Sequence, residues 1–385
     1  LGHGPVSVSL RGRLGPSLVY QLRYDHLGGI TAGYTNVVDD RKLAVVHSRY
    51  HSDRPRLVDR EAWHSHSVAF PGSAVSTRAF WVPTAVTELV AEPTTPGFFW
   101  ERWVFQTAGP TAGSSTFLEE RTHYPPGAPA RSELWFDSPI LTGMPESLTG
   151  DAVFCSMCRD NDWLVPPQYE VDTNSEHNFF LFNSGAGATM HLFQGDTEIP
   201  VTNAFGFPAF PLPPDPGVFR LDLHTQQRAT DVRTLASTVD TSWTFHSQRP
   251  AAGQMSAQYI CRVSRTGPCA FAPMIQLHYR LGLDLLNRAP ADRPYLFEIQ
   301  AGPHSGATGA AGITDLSVST STDGNSTWRP ALTLPLGNGR FAVLVLHPRL
   351  SQTDGFVSLR VQAADAAGNR VVQTVTHAYA LTDHK

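Results

Sequence analysis

The chain has 385 residues, of which 41% are hydrophobic, 10% aromatic and 16% charged, where a typical soluble domain carries roughly 25% charged residues. This apolar content, with no charge block or short repeat, excludes a disordered chain, a collagen and a coiled coil. A formal net charge of −5 offers no basic stripe for nucleic acid or an anionic membrane; no apolar run approaches the roughly 18 residues of a membrane helix, the longest lying at 341–346.

Glycine and proline, at 31 and 30 residues, punctuate segments that alternate with period two. The alternation predicts strands at 6–10, 18–22, 43–46, 98–105, 133–136, 178–182 and 218–223. Turn clusters such as Tyr124-Pro125-Pro126-Gly127 and Pro213-Pro214-Asp215-Pro216-Gly217 separate them, because proline cannot donate to a sheet ladder. A modest helix is expected only at 231–237. Further strands are expected around Ile299 and at 313–318, 341–346, 357–363 and 371–379. Ala366-Ala367-Gly368-Asn369 turns between the last two, since Gly and Asn both tolerate positive φ. The chain is therefore expected to be all-β, with tandem β-sandwich or jelly-roll-like domains. They would comprise a sandwich over 1–148, a second over 149–270, and an immunoglobulin- or fibronectin-III-like sandwich over 271–385.

Four cysteines form two local pairs, Cys155/Cys158 and Cys261/Cys269, open to disulfide, zinc and free-thiol readings. A redox Cys-x2-Cys wants a helix N-terminus to lower its thiol pKa; a zinc ribbon usually wants two Cys-x2-Cys knuckles, and the second pair here is Cys-x7-Cys. Two local disulfides are the favoured reading, and they imply an oxidising, extracytoplasmic compartment.

Other motifs have a plain structural reading beside the chemical one. Trp63-His64-Ser65-His66 puts His64 and His66 on one face of a strand, as a metal site needs, but no third ligand follows from spacing. Asp160-Asn161-Asp162 could offer Asp160 and Asp162 to calcium, and a solvated turn fits it better. Trp100-Glu101-Arg102-Trp103 could form a sugar platform, although so apolar a run reads first as a buried strand with one wet face. Ser321-Thr322-Asp323-Gly324-Asn325-Ser326-Thr327-Trp328 resembles an Asp-box: Ser321 and Asp323 would bond turn amides and Trp328 would pack beneath the hairpin. Asn325 stands where that motif usually has glycine and also opens a glycosylation sequon. No Gly-x-Ser-x-Gly elbow, Gly-Thr-Ser-Met segment or His-Gly-Thr segment is present, so a standard serine triad is not expected. Carboxylates for glycoside hydrolysis cannot be paired from sequence, because their separation is a three-dimensional quantity.

The tail from Gly355-Phe356-Val357-Ser358-Leu359-Arg360 through Ala363-Ala364-Asp365-Ala366-Ala367-Gly368-Asn369 to Ala378-Tyr379 resembles the C-terminal end of large secreted actinobacterial subtilisin-like peptidases. It follows the Asp-box-like hairpin and Asn287-Arg288-Ala289-Pro290, and the segments 121–127 and 169–177 resemble the β-rich extension behind the protease domain. The resemblance implies the non-catalytic C-terminal region of such a secreted peptidase, without the triad, and therefore no enzyme by itself. Its implied partner is the catalytic protease domain of the same precursor; its implied roles are to stabilise that domain, position protein substrate or attach to a cell-envelope polymer. No cofactor follows from it. The chain begins at Leu1 rather than Met, which is expected of a processed product. The alternatives are a carbohydrate- or surface-binding protein using Trp100 and Trp103, and a β-protein that self-assembles through edge strands or donates the strand at 1–10.

Overall fold

A computed structural model describes residues 6–28, 35, 37–67, 74–107, 115–146, 153–173, 177–180, 186–204, 206–227, 233–256, 258–261, 263 and 267–383. Among them the chain is all-β, in tandem sandwiches; the helical elements are two single-turn 3-10 segments, Asp40–Lys42 and Leu350–Gln352. No helix of the described residues is long and apolar enough to cross a membrane. Of the expected helix, residues 231 and 232 lie outside the described residues, and 233–237 form a turn. There Ala236 takes φ +46°, which a helix cannot use, and its N–H donates instead to the carbonyl of His377.

The N-terminal unit is built from β1 (Val6–Leu14), β2 (Leu18–His26), β3 (Ala44–Tyr50), β4 (Arg56–His66), β5 (Ala74–Val82), β6 (Thr84–Ala91), β7 (Phe99–Thr107), β8 (Ser115–Thr122) and β9 (Arg131–Trp135). One sheet runs β1-β2-β6-β3-β9. The other runs from Leu141–Gly143 through Tyr169–Val171 and Asn178–Phe180 to β8-β7-β4-β5. The sheets face each other. Val46 and Val90 of the first pack with Trp63 and Trp100 of the second, and Tyr50 and Trp135 pack with Val104 and Leu118. Residues 1–5 of the expected donor strand lie outside the described residues, and β1 pairs along its length with β2 of its own chain.

The terminal sandwich has the strand order of an immunoglobulin domain. Gln276–Arg280, Pro294–Gly302, Arg340–Leu346 and Leu332–Gly337 lie side by side in one sheet. Ile313–Ser321, Phe356–Asp365 and Arg370–Thr382 lie side by side in the facing one. Strict alternation turns Phe297, Ile299, Phe341, Val343 and Val345 inward, against Leu316, Val318, Leu359, Val361 and Val371. Fully burying one such side chain is worth about 1.5–3 kcal/mol. The turn at 366–369 forms as expected, with one difference. Gly368 takes φ +90°, whereas Asn369 is buried and uses its amide, donating to Asp365 and the Gly309 carbonyl and accepting from His246 N.

The sandwich does not stop at its last strand. Thr238–Ser247 pairs with Arg370–Thr382 from Thr238↔Thr376 to Thr244↔Arg370, and Gly217–Gln227 and Ala186–Gln194 continue the sheet. An edge that a free-standing sandwich would leave open to aggregation is thereby covered, and one core runs across the line at 270/271. The middle segment adds a five-stranded sheet that contains Trp163–Val165, Cys158–Asp160 and Cys269–Phe271. The N-terminal unit is tied on by Asn287, which holds φ +56°. Its side chain meets His51 Nδ1 at 3.1 Å, donates to Phe136 O and accepts from Ser138 N. Asp53 accepts from the backbone and hydroxyl of Thr234 at 2.6 and 2.7 Å.

Candidate functional site

The outward side of the sheet built on Pro294–Gly302 is apolar where solvent should favour polar side chains. Cross-strand register places Leu296 beside Leu344 and Leu344 beside Leu332, with Leu346 beside Pro294 and Leu334 beside Ala342. These residues share one face because side chains two apart point the same way. Leu296, Leu332, Leu334 and Leu346 are 66%, 68%, 61% and 74% exposed, and a contiguous patch of this kind marks an interaction surface. Its far end is polar: Glu298 receives Arg280 at 3.3 Å and Arg340 at 3.8 Å. Leu332–Gly337 is the outer strand of that sheet. An unbroken apolar run at 341–346 leaves a strand no wet side, and it is the sequence signal for the face.

A second concentration of chemistry lies between the two sheets of the N-terminal unit. Arg102 of β7 is fully buried and donates to Glu61 at 3.0 Å, Glu88 at 2.8 Å, Tyr50 Oη at 2.8 Å and Glu133. Its guanidinium carbon lies 4.2 Å from the Trp63 ring centre and 5.0 Å from that of Trp135. Arg78 reaches Glu61 and, at 3.0 Å, Glu88; Arg11 reaches Glu61 at 2.8 Å. Burial raises Glu133, against the pull of Arg102. Burial also opposes the charge on Glu120, but His177 overcomes it and holds that carboxylate low. For His177 itself burial disfavours the imidazolium, and Asp172 and Glu120 outweigh it, raising the group to about 10. Glu61, Glu88, Glu120 and Glu133 are each 0% exposed, so these carboxylates bond to cations of the same core and present no face to a glycoside. The centre is a neutralised structural knot. A cleft of about 630 Å³ beside it is lined by Arg11, Arg78, Phe80 and Trp81.

The residues singled out from sequence divide clearly. Cys155 pairs with Cys158 and Cys261 with Cys269 as disulfides. The His64 ring lies tilted against Trp103 at 4.3 Å, whereas His66 stacks on Phe99 and meets Glu101 at 2.9 Å. Among the described residues, the groups of three ligand-type side chains close enough for one ion contain cysteines and Asp160, and neither histidine. Asp160 is buried and accepts from Val263 N, while Asp162 turns outward to Arg249; the two do not converge on a calcium ion. Trp100 is 1% exposed, edge-on to Trp63, and lies in the core; Trp103 is half-buried on the opposite face. Ser321 donates to Asp323, which accepts from Thr327 N at 2.9 Å and Thr327 Oγ1 at 2.6 Å. These Thr327 bonds lead in lowering the Asp323 carboxyl to about 2. Asn325 holds φ +68°, the region a glycine would take, and its amide donates to Thr376. Trp328 is half-buried under the Arg360 guanidinium, 4.1 Å from ring centre to carbon.

No protein-family model and no curated protein matches the chain. Among solved structures it is similar to the extracellular cadherin domains 1–4 of protocadherin gamma B7, at 9% identity and a TM-score of 0.17, over 97% of this chain and 71% of that one.

Proposed function

We propose that the chain is a non-catalytic accessory region of a secreted subtilisin-like serine peptidase, and that it docks on the catalytic domain of its own precursor through the leucine face of the terminal sandwich. The observation that supports this reading is the four leucines left more than 60% exposed on one sheet face. Covering them would contribute on the order of 5 kcal/mol, from which the loss of translational freedom is subtracted when the partner is a separate chain. It suffices for a tethered domain, whose effective concentration is millimolar. The tail resemblance supplies the partner's class, and the two disulfides fit a secreted location.

The test is purification from the native source, with intact mass and peptide identification of everything that co-purifies. A subtilase-motif polypeptide of the same reading frame should co-migrate with the wild type and separate from the Leu296→Asp/Leu332→Asp variant. A chain that runs alone, and runs the same as the variant, overturns the reading. If light scattering then shows a dimer that the variant abolishes, the face joins two copies of this chain instead.

A further inference from the structure

Two cysteine pairs more than 100 residues apart meet in one buried place. Cys158–Asp160 and Cys269–Phe271 are adjacent antiparallel strands, with Asp160 opposite Cys269. Cys155 Sγ lies 3.7 Å from Cys269 Sγ. The sulfurs of Cys155, Cys158 and Cys269 lie within 4.8 Å of one another, as do those of Cys261 and Cys269 with a carboxylate oxygen of Asp160. Cys155, Cys158 and Cys269 are buried and Cys261 half-buried.

Disulfide chemistry gives no reason for this meeting. Loops with sequence separations of 3 and 8 close wherever they stand, and each bond needs only its own two partners. A single ion does require it. Tetrahedral zinc bound about 2.3 Å from each thiolate spaces the sulfurs about 3.8 Å apart, close to the separation of Cys155 and Cys269. The Cys-x2-Cys segment turns through Met157 at φ +54°, and both of its sulfurs lie within 4.8 Å of that of Cys269.

We propose that Cys155, Cys158, Cys261 and Cys269, as thiolates, are the four ligands of one structural zinc ion, and that the disulfide pair is the oxidised form of the same site. Reducing both disulfides takes four electrons and four protons, supplied by a thiol or phosphine reductant. Zinc then displaces four protons and forms four Zn–S bonds, leaving a centre of charge 2−. Asp160, whose carboxylate accepts from Val263 N at 2.6 Å, positions the loop that carries Cys261.

The test takes the full chain, reduced anaerobically with a phosphine, and titrates it with Co²⁺ alone and then Zn²⁺. One cobalt per chain should bind with the charge-transfer intensity of four thiolates, one zinc should displace it, and all four thiols should resist alkylation while metal is bound. Cys155→Ser and Cys269→Ser should each lose the four-thiolate spectrum, and Asp160→Asn should keep it. Circular dichroism checks that the variants fold; if they do not, the wild-type stoichiometry and alkylation decide. A reduced, folded chain that takes up no cobalt or shows fewer than four thiolates overturns the proposal. So do disulfides that yield to the phosphine only on unfolding.

Discussion

Replacing Arg102 by methionine removes the cation around which the N-terminal unit is assembled while leaving a flexible side chain to fill much of its volume. Three buried carboxylates lose a charge-assisted hydrogen bond, each worth about 1.5–3 kcal/mol, so a simple addition would give at least about 5 kcal/mol. The structure argues for less. Glu61 keeps Arg78 and Arg11, and Glu88 keeps Arg78; Glu133 is left with Arg131 at 3.3 Å and the Tyr124 hydroxyl, which donates to it at 2.8 Å. One poorly compensated buried carboxylate puts the expected loss at about 3–5 kcal/mol, or on the order of 10 °C in the melting of a unit this size. Scanning calorimetry of Arg102→Met should show the N-terminal transition moving and the C-terminal one standing still. The loss should also grow with pH. Burial already raises Glu133 to about 7 with Arg102 present, and removing that cation raises it further, so the variant loses stability relative to the wild type as pH climbs above about 7. Adding Glu133→Gln should recover part of the loss. A shift under about 1 kcal/mol, or one that is flat from pH 5 to 8, would refute the claim that Arg102 holds the centre together.

His177 is raised from 6.5 to about 10, so its contribution is complete below pH 6.5 and fades as pH rises toward 10; His177→Gln should flatten that alkaline decline, measured by urea unfolding at a series of pH values. Asn369→Ala removes the hydrogen bonds to His246 N, Gly309 O and Asp365, whose oxygen keeps Ala311 N, with an expected loss of about 2–3 kcal/mol; equilibrium unfolding that moves by less than 1 kcal/mol would count against the amide's role. Leu296→Asp with Leu332→Asp should leave the melting temperature nearly unchanged, because both side chains are exposed, while partner binding falls at least tenfold by calorimetric titration.

Period-two alternation made the strands legible. The segments at 18–22, 218–223, 313–318 and 357–363 all lie within observed strands, because alternation records which residues face a core wherever that core is. What alternation leaves open is which side is dry when both carry apolar residues. In Trp100-Glu101-Arg102-Trp103, successive residues face opposite sides, and Arg102, not only Trp100, points into the sandwich. A lone arginine is expected on the wet side; this one is buried because carboxylates on β4, β6 and β9 converge on it, and that convergence depends on sheet order. The cysteines follow the same logic. Spacing exposed two pairs, but only the register of Cys158–Asp160 against Cys269–Phe271 brings them together. The run at 341–346 was legible as a strand, but three of the four exposed leucines, Leu296, Leu332 and Leu334, lie on neighbouring strands, so the face they form depends on cross-strand register.

The last of the described strands, Arg370–Thr382, occupies the middle of the long sheet. Arg370–Thr382 separates Thr238–Ser247 from Phe356–Asp365, so the middle strands leave the ribosome well before the strand that completes them. At ordinary synthesis rates the delay is on the order of 10 s, long compared with the microseconds in which a hairpin forms. During that time the 238–247 strand has one unpaired edge and is open to a chaperone or to a neighbouring nascent chain. A product cut short before residue 370 would stay in that state, so Arg370–Thr382 closes the sheet that the earlier strands leave open.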